Sequence, residues 1–332
     1  METVAAPVAT LFDFITADHF APQTHRTAAI ELFQRSVSMV EIETFSYCNR
    51  RCWFCPNSVI DRHSGTEYMS EDLYLRVVGQ LAEADYRGMI SYSRYNEPLA
   101  DRIILRRLEQ ARAALPGVLL HANTNGDYLT TSYLTELASA GLGSLNIQIY
   151  LANEERYDHE RMRSKLFAVV KKLGLTVTIV RDEPDVWLEA TAEWHSLKLR
   201  LYARNFEVNG CNRGESVPIA MMSRRMSPCL SPFYHVYIDY NGKVMPCCNL
   251  RSDQPAHHDA VVADLNVEQD LFLIYASHTM AAWRRSLVGF GPKAGHCASC
   301  SFVTFEATPA NRAVHERLVS MAAREETLPK SA

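Results

Sequence analysis

The chain has 332 residues, of which 47% are hydrophobic, and carries a formal net charge of −4 at pH 7. Its length allows one large domain and a smaller one, and its weakly acidic balance gives no electrostatic case for a nucleic acid or a membrane surface as partner. No apolar run approaches the ~18 residues of a spanning helix, and no signal-peptide pattern marks the N-terminus. We therefore expect a cytoplasmic protein, and for its nine cysteines the tight C-x2-C spacings favour metal binding over disulfides.

The first 38 residues are predicted to be an N-terminal extension, with amphipathic stretches around 11–20 and 27–33. From residue 39, strand-like and helix-like patterns alternate, with a helix start signalled by Ser70 and helix ends by Gly141 and Gly174. This alternation predicts an α/β fold with a parallel sheet, which we interpret as a partial (β/α)6 barrel over 39–215. The strand-like runs are 39–45, 88–92, 118–122, 144–150, 175–180 and 197–202.

Three cysteines follow the first strand-like run, where Cys48, Cys52 and Cys55 form a C-x3-C-x2-C array. Barrels of this kind carry their chemistry at the carboxyl ends of their strands. Three thiolates on one loop leave one iron of a [4Fe–4S] cube open, whereas structural zinc takes four ligands and is closed. The array therefore predicts an iron–sulfur site, and the alternative is a zinc loop that takes His63 as its fourth ligand.

A second group of cysteines begins after Gly214, where the strand–helix alternation stops. Asn241-Gly242 separates two strand-like runs and predicts a hairpin that brings Cys247 back towards Cys229. A mostly helical stretch, 261–287, precedes Cys297 and Cys300. Four thiolates suit an iron–sulfur cluster or a zinc ribbon. Cys248 either replaces Cys247 as ligand or packs beneath the hairpin. The domain is predicted over 216–305, followed by a helical tail over 306–332.

The first array, with the aromatic Phe54 before its last cysteine, resembles the signature of the radical S-adenosylmethionine (SAM) enzymes. The resemblance implies that Cys48, Cys52 and Cys55 hold a [4Fe–4S] cluster whose open iron binds S-adenosyl-L-methionine. The later cysteines resemble the twitch domain, a shortened SPASM domain (a β-hairpin plus helix) with one auxiliary [4Fe–4S] cluster, because no cysteine follows Cys300. The implied ligands of that cluster are Cys229, Cys247, Cys297 and Cys300.

The same resemblance suggests where SAM is bound. Asn96-Glu97-Pro98 is similar to the Gly-Gly-Glu-Pro-like motif that holds the SAM amino group, although Tyr95 stands where that motif has a glycine. Asn125 lies in a turn that resembles the family's Thr-Asn-Gly turn. Phe54 is implied to lie near the adenine, Asn146 or Gln148 to reach the ribose or to make a structural hydrogen bond, and Arg181 to meet the carboxylate or cap the rim. The cofactor-binding candidates are Phe54, Asn96, Glu97, Pro98, Asn125, Gln148 and Arg181.

Similarity to twitch enzymes of aminoglycoside-type pathways implies hydrogen abstraction from a carbon of a carbohydrate-like or aminocyclitol intermediate. Cys211, just past the sixth strand-like run, is predicted to lie at the reactive rim, which favours epimerisation with its thiol as hydrogen donor. The alternatives are a dehydrogenase that passes an electron to the auxiliary cluster, a peptide maturase and a non-catalytic zinc-binding scaffold. The N-terminal extension is short for the leader-binding module of a maturase. An electron donor such as flavodoxin or ferredoxin is the expected protein partner, without nucleic acid or membrane.

Overall fold

The computed structural model describes residues 12–219 and 224–327, which group into two compact units. The first unit, here called the barrel unit, comprises Met39–Gly210 and Ile238–Asn241. The second, called the accessory unit, comprises the other described residues, so residues 12–38 of the predicted N-terminal extension belong to it. The beginning of the first amphipathic stretch, at residue 11, and the end of the C-terminal tail, 328–332, lie outside the described residues.

Ten strands and ten α-helices are assigned in the described residues. The strands are β1 (Met39–Ile42), β2 (Met89–Tyr92), β3 (Leu119–Thr124), β4 (Ser144–Gln148), β5 (Thr178–Glu183), β6 (Trp187–Trp194), β7 (Leu197–Arg204), β8 (His235–Ile238), β9 (Lys243–Met245) and β10 (Ala263–Asp264). The helices are α1 (Arg26–Ser36), α2 (Glu71–Glu83), α3 (Ile103–Ala114), α4 (Thr131–Ser139), α5 (His159–Leu173), α6 (Phe206–Asn209), α7 (Ser231–Tyr234), α8 (Leu271–Tyr275), α9 (His278–Leu287) and α10 (Pro309–Thr327).

The barrel unit confirms the predicted α/β class. Strands β1, β2, β3 and β4 pair in parallel in that order, each separated from the next by a helix, and β7 pairs in parallel with β4. The helix starts are fixed by side-chain caps, since Ser70 accepts from the N–H of Leu73 and Thr130 from that of Tyr133. Gly174 ends α5 in a left-handed conformation, φ +66°, as the sequence predicts.

The sheet departs from six parallel strands after α5. Strands β5, β6 and β7 form an antiparallel meander, so the predicted strand at 175–180 becomes an edge strand and β6 was not predicted. The connections are tight turns in which Asp185 and His195 take left-handed φ values of +58° and +54°. A parallel crossover needs a dozen or more residues, usually with a helix, whereas an antiparallel return needs only a short turn. The interval between the two predicted strands holds β6 and its two short turns in place of a helix, so each return is antiparallel.

The accessory unit has its own apolar core, built around aromatic rings. Phe12 lies 5.5 Å from Phe305 and 4.7 Å from the ring of His315 on α10, and Phe20 packs edge-on against Phe233 at 5.8 Å. The predicted Asn241-Gly242 turn lies between β8 and β9, with Gly242 at φ +82°. The predicted helical stretch at 261–287 consists of β10 followed by α8 and α9. No helix within 12–219 or 224–327 is long and apolar enough to cross a bilayer.

Candidate functional site

The C-x3-C-x2-C loop lines one side of a cleft of about 100 Å³ at the carboxyl ends of the barrel strands. The main-chain N–H of Cys48 donates to Arg62 at 3.0 Å, and that of Cys55 donates to Cys52 at 2.9 Å. A 3-10 turn that starts at Pro56 follows directly. Cys48 and Cys52 are buried, and Cys55 is half-buried. The three predicted ligands therefore converge on one cavity.

The loop is fixed to the turns that follow β3 and β4. Arg50 makes a bidentate ion pair with Asp127, with 2.6 Å from Nε to Oδ2 and 2.6 Å from Nη2 to Oδ1. Asn125 donates to Asn49 at 2.8 Å, and the main-chain N–H of Trp53 donates to Asn153 at 3.0 Å. Sequence reasoning missed the anchors Asp127 and Asn153, because no fixed spacing relates them to the cysteines.

A buried carboxylate joins the cysteine loop to the motif after β2. Glu43 is fully buried and accepts from Arg62, with 2.9 Å from Nη1 to Oε1 and 3.3 Å from Nη2 to Oε2. Its Oε1 also accepts from the main-chain N–H groups of Tyr95 and Asn96 at 3.1 and 2.9 Å. Tyr95 does not take a positive φ, so this position does not require the glycine of the family motif.

Glu97 lies buried at the centre of the cleft wall. Its Oε1 accepts from the hydroxyl of Thr124 at 2.5 Å and the N–H of Leu99 at 3.1 Å, and its Oε2 accepts from the N–H of Asn125 at 2.7 Å. Burial is the largest effect on the pKa of Glu97 and raises it to about 7, although these hydrogen bonds act in the opposite direction and lower it. A cationic ligand beside this carboxylate would favour its ionised form, as expected of a contact with an amino group.

The electrostatic environment of the three cysteines in the cleft suits a metal cluster, because the metal ions bring positive charge. Burial, the largest cause, raises the pKa of Cys48 and of Cys52 to about 12, and the neighbouring cysteines raise each of them further. Three thiolates in this cavity therefore need compensating positive charge, which metal coordination supplies. His63, the zinc alternative's fourth ligand, packs edge-on against Tyr47 and is not among the described residues that line the cleft. Within 12–219 and 224–327, no three His, Cys, Asp or Glu side chains converge on the position of a single ion.

The other cofactor candidates divide into two groups. Phe54 stacks on Phe206 with centroids 3.5 Å apart, and it lines the cleft together with Asn96, Asn125 and Gln148. Pro98 is buried and begins the 3-10 turn behind Glu97. Arg181 is not brought to the cleft, since it lies on β5 at the edge of the sheet, where it pairs with Glu183 at 2.7 Å and covers Trp187. A contact between Arg181 and SAM gains no support from this position.

A chain of polar side chains runs across the inner face of the barrel sheet. The hydroxyl of Ser93 donates to Glu41 at 2.9 Å, and Asn123 donates to Ser93 at 2.9 Å. Asn146 donates to Asn123 at 2.8 Å and lies 3.3 Å from Nε2 of His121. Ser93, Asn123 and the neighbouring Gln148 line the cleft. The sequence indicates only Asn146 and Gln148 on β4, because the other side chains of this hydrogen-bonded row are brought together only when the strands pair.

The four cysteines of the second predicted site line one cavity in the accessory unit. Burial and the other thiols raise the pKa of Cys297 to about 12 and that of Cys300 to about 11, and they also raise the pKa of Cys247 well above its usual value. Cys248 is not among the described residues that line this cavity, so the geometry favours Cys247 as the fourth ligand. The cavity-lining cysteines are Cys229, Cys247, Cys297 and Cys300.

Cys211, predicted to lie at the barrel rim, is the first residue of the accessory unit after the barrel unit ends at Gly210. Its thiol is buried, 5% exposed, and donates to Oδ1 of Asn249 at 3.1 Å. Asn249 lines the four-cysteine cavity, and Cys211 contributes to the raised pKa of Cys300. The chain leaves the barrel unit at Gly210, and the next residue makes its side-chain hydrogen bond within the accessory unit.

Comparisons with known proteins agree with this arrangement. Residues 42–194 match the radical SAM superfamily, and residues 229–301 match the SPASM iron–sulfur cluster-binding domain. Over 273 residues the chain is 26% identical to the S-adenosyl-L-methionine-dependent 2-deoxy-scyllo-inosamine dehydrogenase of Niallia circulans. This alignment covers 81% of this chain and 94% of that protein.

Among solved structures, the fold is similar to the crystal structure of BtrN in complex with AdoMet and 2-DOIA. The TM-score is 0.56 at 24% identity, and the match covers 80% of this chain and 94% of that one. A crystal structure of BtrN in an open conformation matches with a TM-score of 0.49 at 22% identity, over 76% of this chain and 85% of that one. The first likeness supports the α/β fold derived above.

Replacement of Arg62 by Met should destabilise the protein by about 3–5 kcal/mol, because it leaves the buried carboxylate of Glu43 without its cation. Urea unfolding of anaerobically prepared protein measures the change. The Glu43→Gln/Arg62→Met double variant should regain part of the loss. Arg161→Met, which removes an exposed ion pair with Glu155, is the matched control and should cost at most about 1 kcal/mol. Equal losses in Arg62→Met and Arg161→Met would contradict the role of the buried pair.

Replacement of Cys48, Cys52 and Cys55 by Ala together should abolish formation of 5′-deoxyadenosine from SAM, because the cluster that binds SAM loses all its protein ligands. The variant should keep about four irons in the accessory unit. Chromatography of anaerobic reactions and iron analysis measure both quantities. Unchanged 5′-deoxyadenosine production would show that SAM is cleaved elsewhere.

Cys247→Ala should lose roughly half of the bound iron if each cluster holds about four irons, whereas Cys248→Ala should keep it. Cys297→Ala is the positive control for loss of the accessory cluster. Iron and acid-labile sulfide analysis, with visible absorption, measures the outcome. If Cys247→Ala kept its iron and Cys248→Ala lost it, Cys248 and not Cys247 would be the ligand of the accessory cluster.

Proposed function

The chain belongs to the radical SAM superfamily and carries a SPASM iron–sulfur cluster-binding domain, and from this premise we propose that it is a dehydrogenase that oxidises a secondary alcohol of an aminocyclitol to a ketone. The two domains bring SAM with a [4Fe–4S] cluster and an auxiliary cluster. When bound, they supply a 5′-deoxyadenosyl radical that takes a hydrogen atom from the carbinol carbon, and an acceptor for the electron that remains. The substrate's hydroxyl proton leaves to solvent or a base, which balances the oxidation.

The observation that carries this proposal is the cavity with four cysteines. Four protein thiolates can occupy every iron of a cube and leave no open position for a substrate. A cluster held in this way is suited to exchange electrons and not to bind the substrate. Oxidation to a ketone needs such an acceptor, whereas an epimerisation returns a hydrogen and leaves the substrate's oxidation state unchanged. The Niallia circulans protein that this chain resembles is named a dehydrogenase, and a dehydrogenase likewise oxidises its substrate.

The polar inner face of the barrel supports a substrate rich in hydroxyl and amino groups. Ser93, Asn123 and Gln148 present both donors and acceptors to the cleft. The hydrogen bonds from Ser93 to Glu41 and from Asn146 to Asn123 orient these groups before a ligand arrives. A site built to hydrogen-bond hydroxyl groups strongly rejects analogues that lack them. We therefore assign recognition of the substrate ring to this polar chain.

The epimerase interpretation is weaker than its dehydrogenase alternative. It needs a thiol that can donate hydrogen to a substrate radical in the cleft. The described residues that line the cleft come from 48–150, and Cys211 is not among them. Its thiol instead donates to Asn249 beside the accessory cysteines. The match to the radical SAM superfamily also favours an enzyme over the alternative of a non-catalytic zinc-binding scaffold. A reductant such as flavodoxin or ferredoxin stays a prediction.

Anaerobic incubation with SAM, a reductant and 2-deoxy-scyllo-inosamine, or related aminocyclitols, should give a ketone and 5′-deoxyadenosine in equal amounts. Deuterium placed on the carbinol carbon should appear in 5′-deoxyadenosine, as measured by mass spectrometry. Cys211→Ala should form the same ketone, because its thiol is not the hydrogen donor. An inverted alcohol that carries one solvent deuterium in heavy water, lost in Cys211→Ala, would establish the epimerase instead.

A further inference from the structure

Arg225 is buried against the four-cysteine cavity of the accessory unit. The side chain lines the cavity and the residue is 1% exposed. Its guanidinium donates only to main-chain carbonyl groups on two segments, one next to Cys229 and one that begins at Cys300. The acceptors and distances are Ser227 at 3.0 Å, Pro228 at 2.6 Å, Cys300 at 3.1 Å, Phe302 at 2.6 Å and Val303 at 2.7 Å.

The charge of this guanidinium is not neutralised. Within 12–219 and 224–327, Arg225 forms no ion pair with a carboxylate, and all five acceptors are neutral carbonyl oxygens. Arg251, which is also fully buried, is paired with Asp253 at 2.5 Å, whereas the buried Arg284 likewise donates to main-chain carbonyl groups but is not among the described residues that line the cavity. Carbonyl dipoles satisfy the N–H groups, but the net positive charge remains, and in a buried environment it acts over several ångströms with little screening.

Lys293 adds a second buried cation, joined to Arg225 through the main chain. It is 9% exposed, its Nζ donates to the carbonyl of Gly289 at 2.5 Å, and its main-chain N–H donates to Arg225 at 3.1 Å. Arg225 lines the cavity and Lys293 is hydrogen-bonded to it, so two positive charges lie close to a site whose four thiolates carry negative charge.

We propose that Arg225 and Lys293 raise the reduction potential of the auxiliary cluster that these cysteines hold. Reduction adds one negative charge to a cluster, and net charge, hydrogen bonding and exposure set its potential. An uncompensated cation stabilises the reduced form more than the oxidised form. If the proposed dehydrogenase function is correct, this shift makes the cluster a better acceptor for the substrate's second electron. Neither side chain touches the reacting atoms, and both act through the cluster.

The test is a redox titration of the full-length chain in which Cys48, Cys52 and Cys55 are replaced by Ala, so that only the auxiliary cluster gives a signal. Arg225→Gln and Lys293→Gln should each shift the reduction equilibrium towards the oxidised cluster by about tenfold, which is 59 mV for a one-electron couple. Arg225→Lys keeps the charge and should stay close to the parent. Electron paramagnetic resonance and visible absorption follow the reduction.

Arg317→Gln, which removes an exposed charge from α10, is the matched control and should leave the potential unchanged. Unchanged potentials in both Arg225→Gln and Lys293→Gln, or an equal shift in Arg317→Gln, would overturn the proposal. Where Arg225→Gln fails to hold its cluster, Lys293→Gln decides, and an unchanged potential in that variant rejects the proposal.

A second readout separates this inference from the proposed function. With the first cysteine array intact, Lys293→Gln should form 5′-deoxyadenosine at the parental rate but yield several-fold less ketone per 5′-deoxyadenosine. A shifted potential with an unchanged ketone yield would keep the electrostatic role and reject the auxiliary cluster as electron acceptor. An unshifted potential would reject the electrostatic role whatever product the enzyme makes.

Discussion

The carboxylate of Glu43 lies just after the first barrel strand, fully buried, and accepts hydrogen bonds from Arg62 and from the main chain of Tyr95 and Asn96. Arg62 in turn donates to the carbonyl of Ser46, within the segment that leads to the cysteines. A buried charge without its partners is strongly destabilising, so the cysteine loop and the motif after β2 must be in place together. The geometry of the cleft depends on this one group.

The grouping of the cysteines around two cavities could be predicted from the sequence because much of their spacing is local. Three thiols within eight residues must share one loop, and Cys297 and Cys300 must share another. The supports of these loops could not be predicted in the same way. Glu43 and Arg62 are ordinary charged residues in the sequence, and their pairing appears only when the strand and the loop are folded. The choice between Cys247 and Cys248 also needed the cavity, because the spacings of two adjacent residues to any partner differ by only one position.

The fold was predictable as far as its helices alternate with strands. Strands β1 to β4 follow that pattern, and their order in the sheet is the order in the chain. The antiparallel meander of β5 to β7 breaks it, because left-handed turns at Asp185 and His195 replace helical crossovers. This meander also explains the misplaced site residue. Arg181 would lie at a rim if β5 were a parallel strand inside the barrel, and it lies on an outer edge because β5 reverses.

Each of the two cysteine cavities is lined by an arginine, and a carboxylate neutralises the charge of that arginine in one cavity but not in the other. In the barrel cleft, the charge of Arg50 is cancelled by a bidentate ion pair with Asp127. In the accessory cavity, Arg225 has only neutral acceptors. A cluster that must deliver an electron to SAM gains from a low potential, and a cluster that must accept one gains from a higher potential. With three cysteines in one cavity and four in the other, paired and unpaired arginines would separate the two potentials in the direction that the proposed oxidation of the substrate requires.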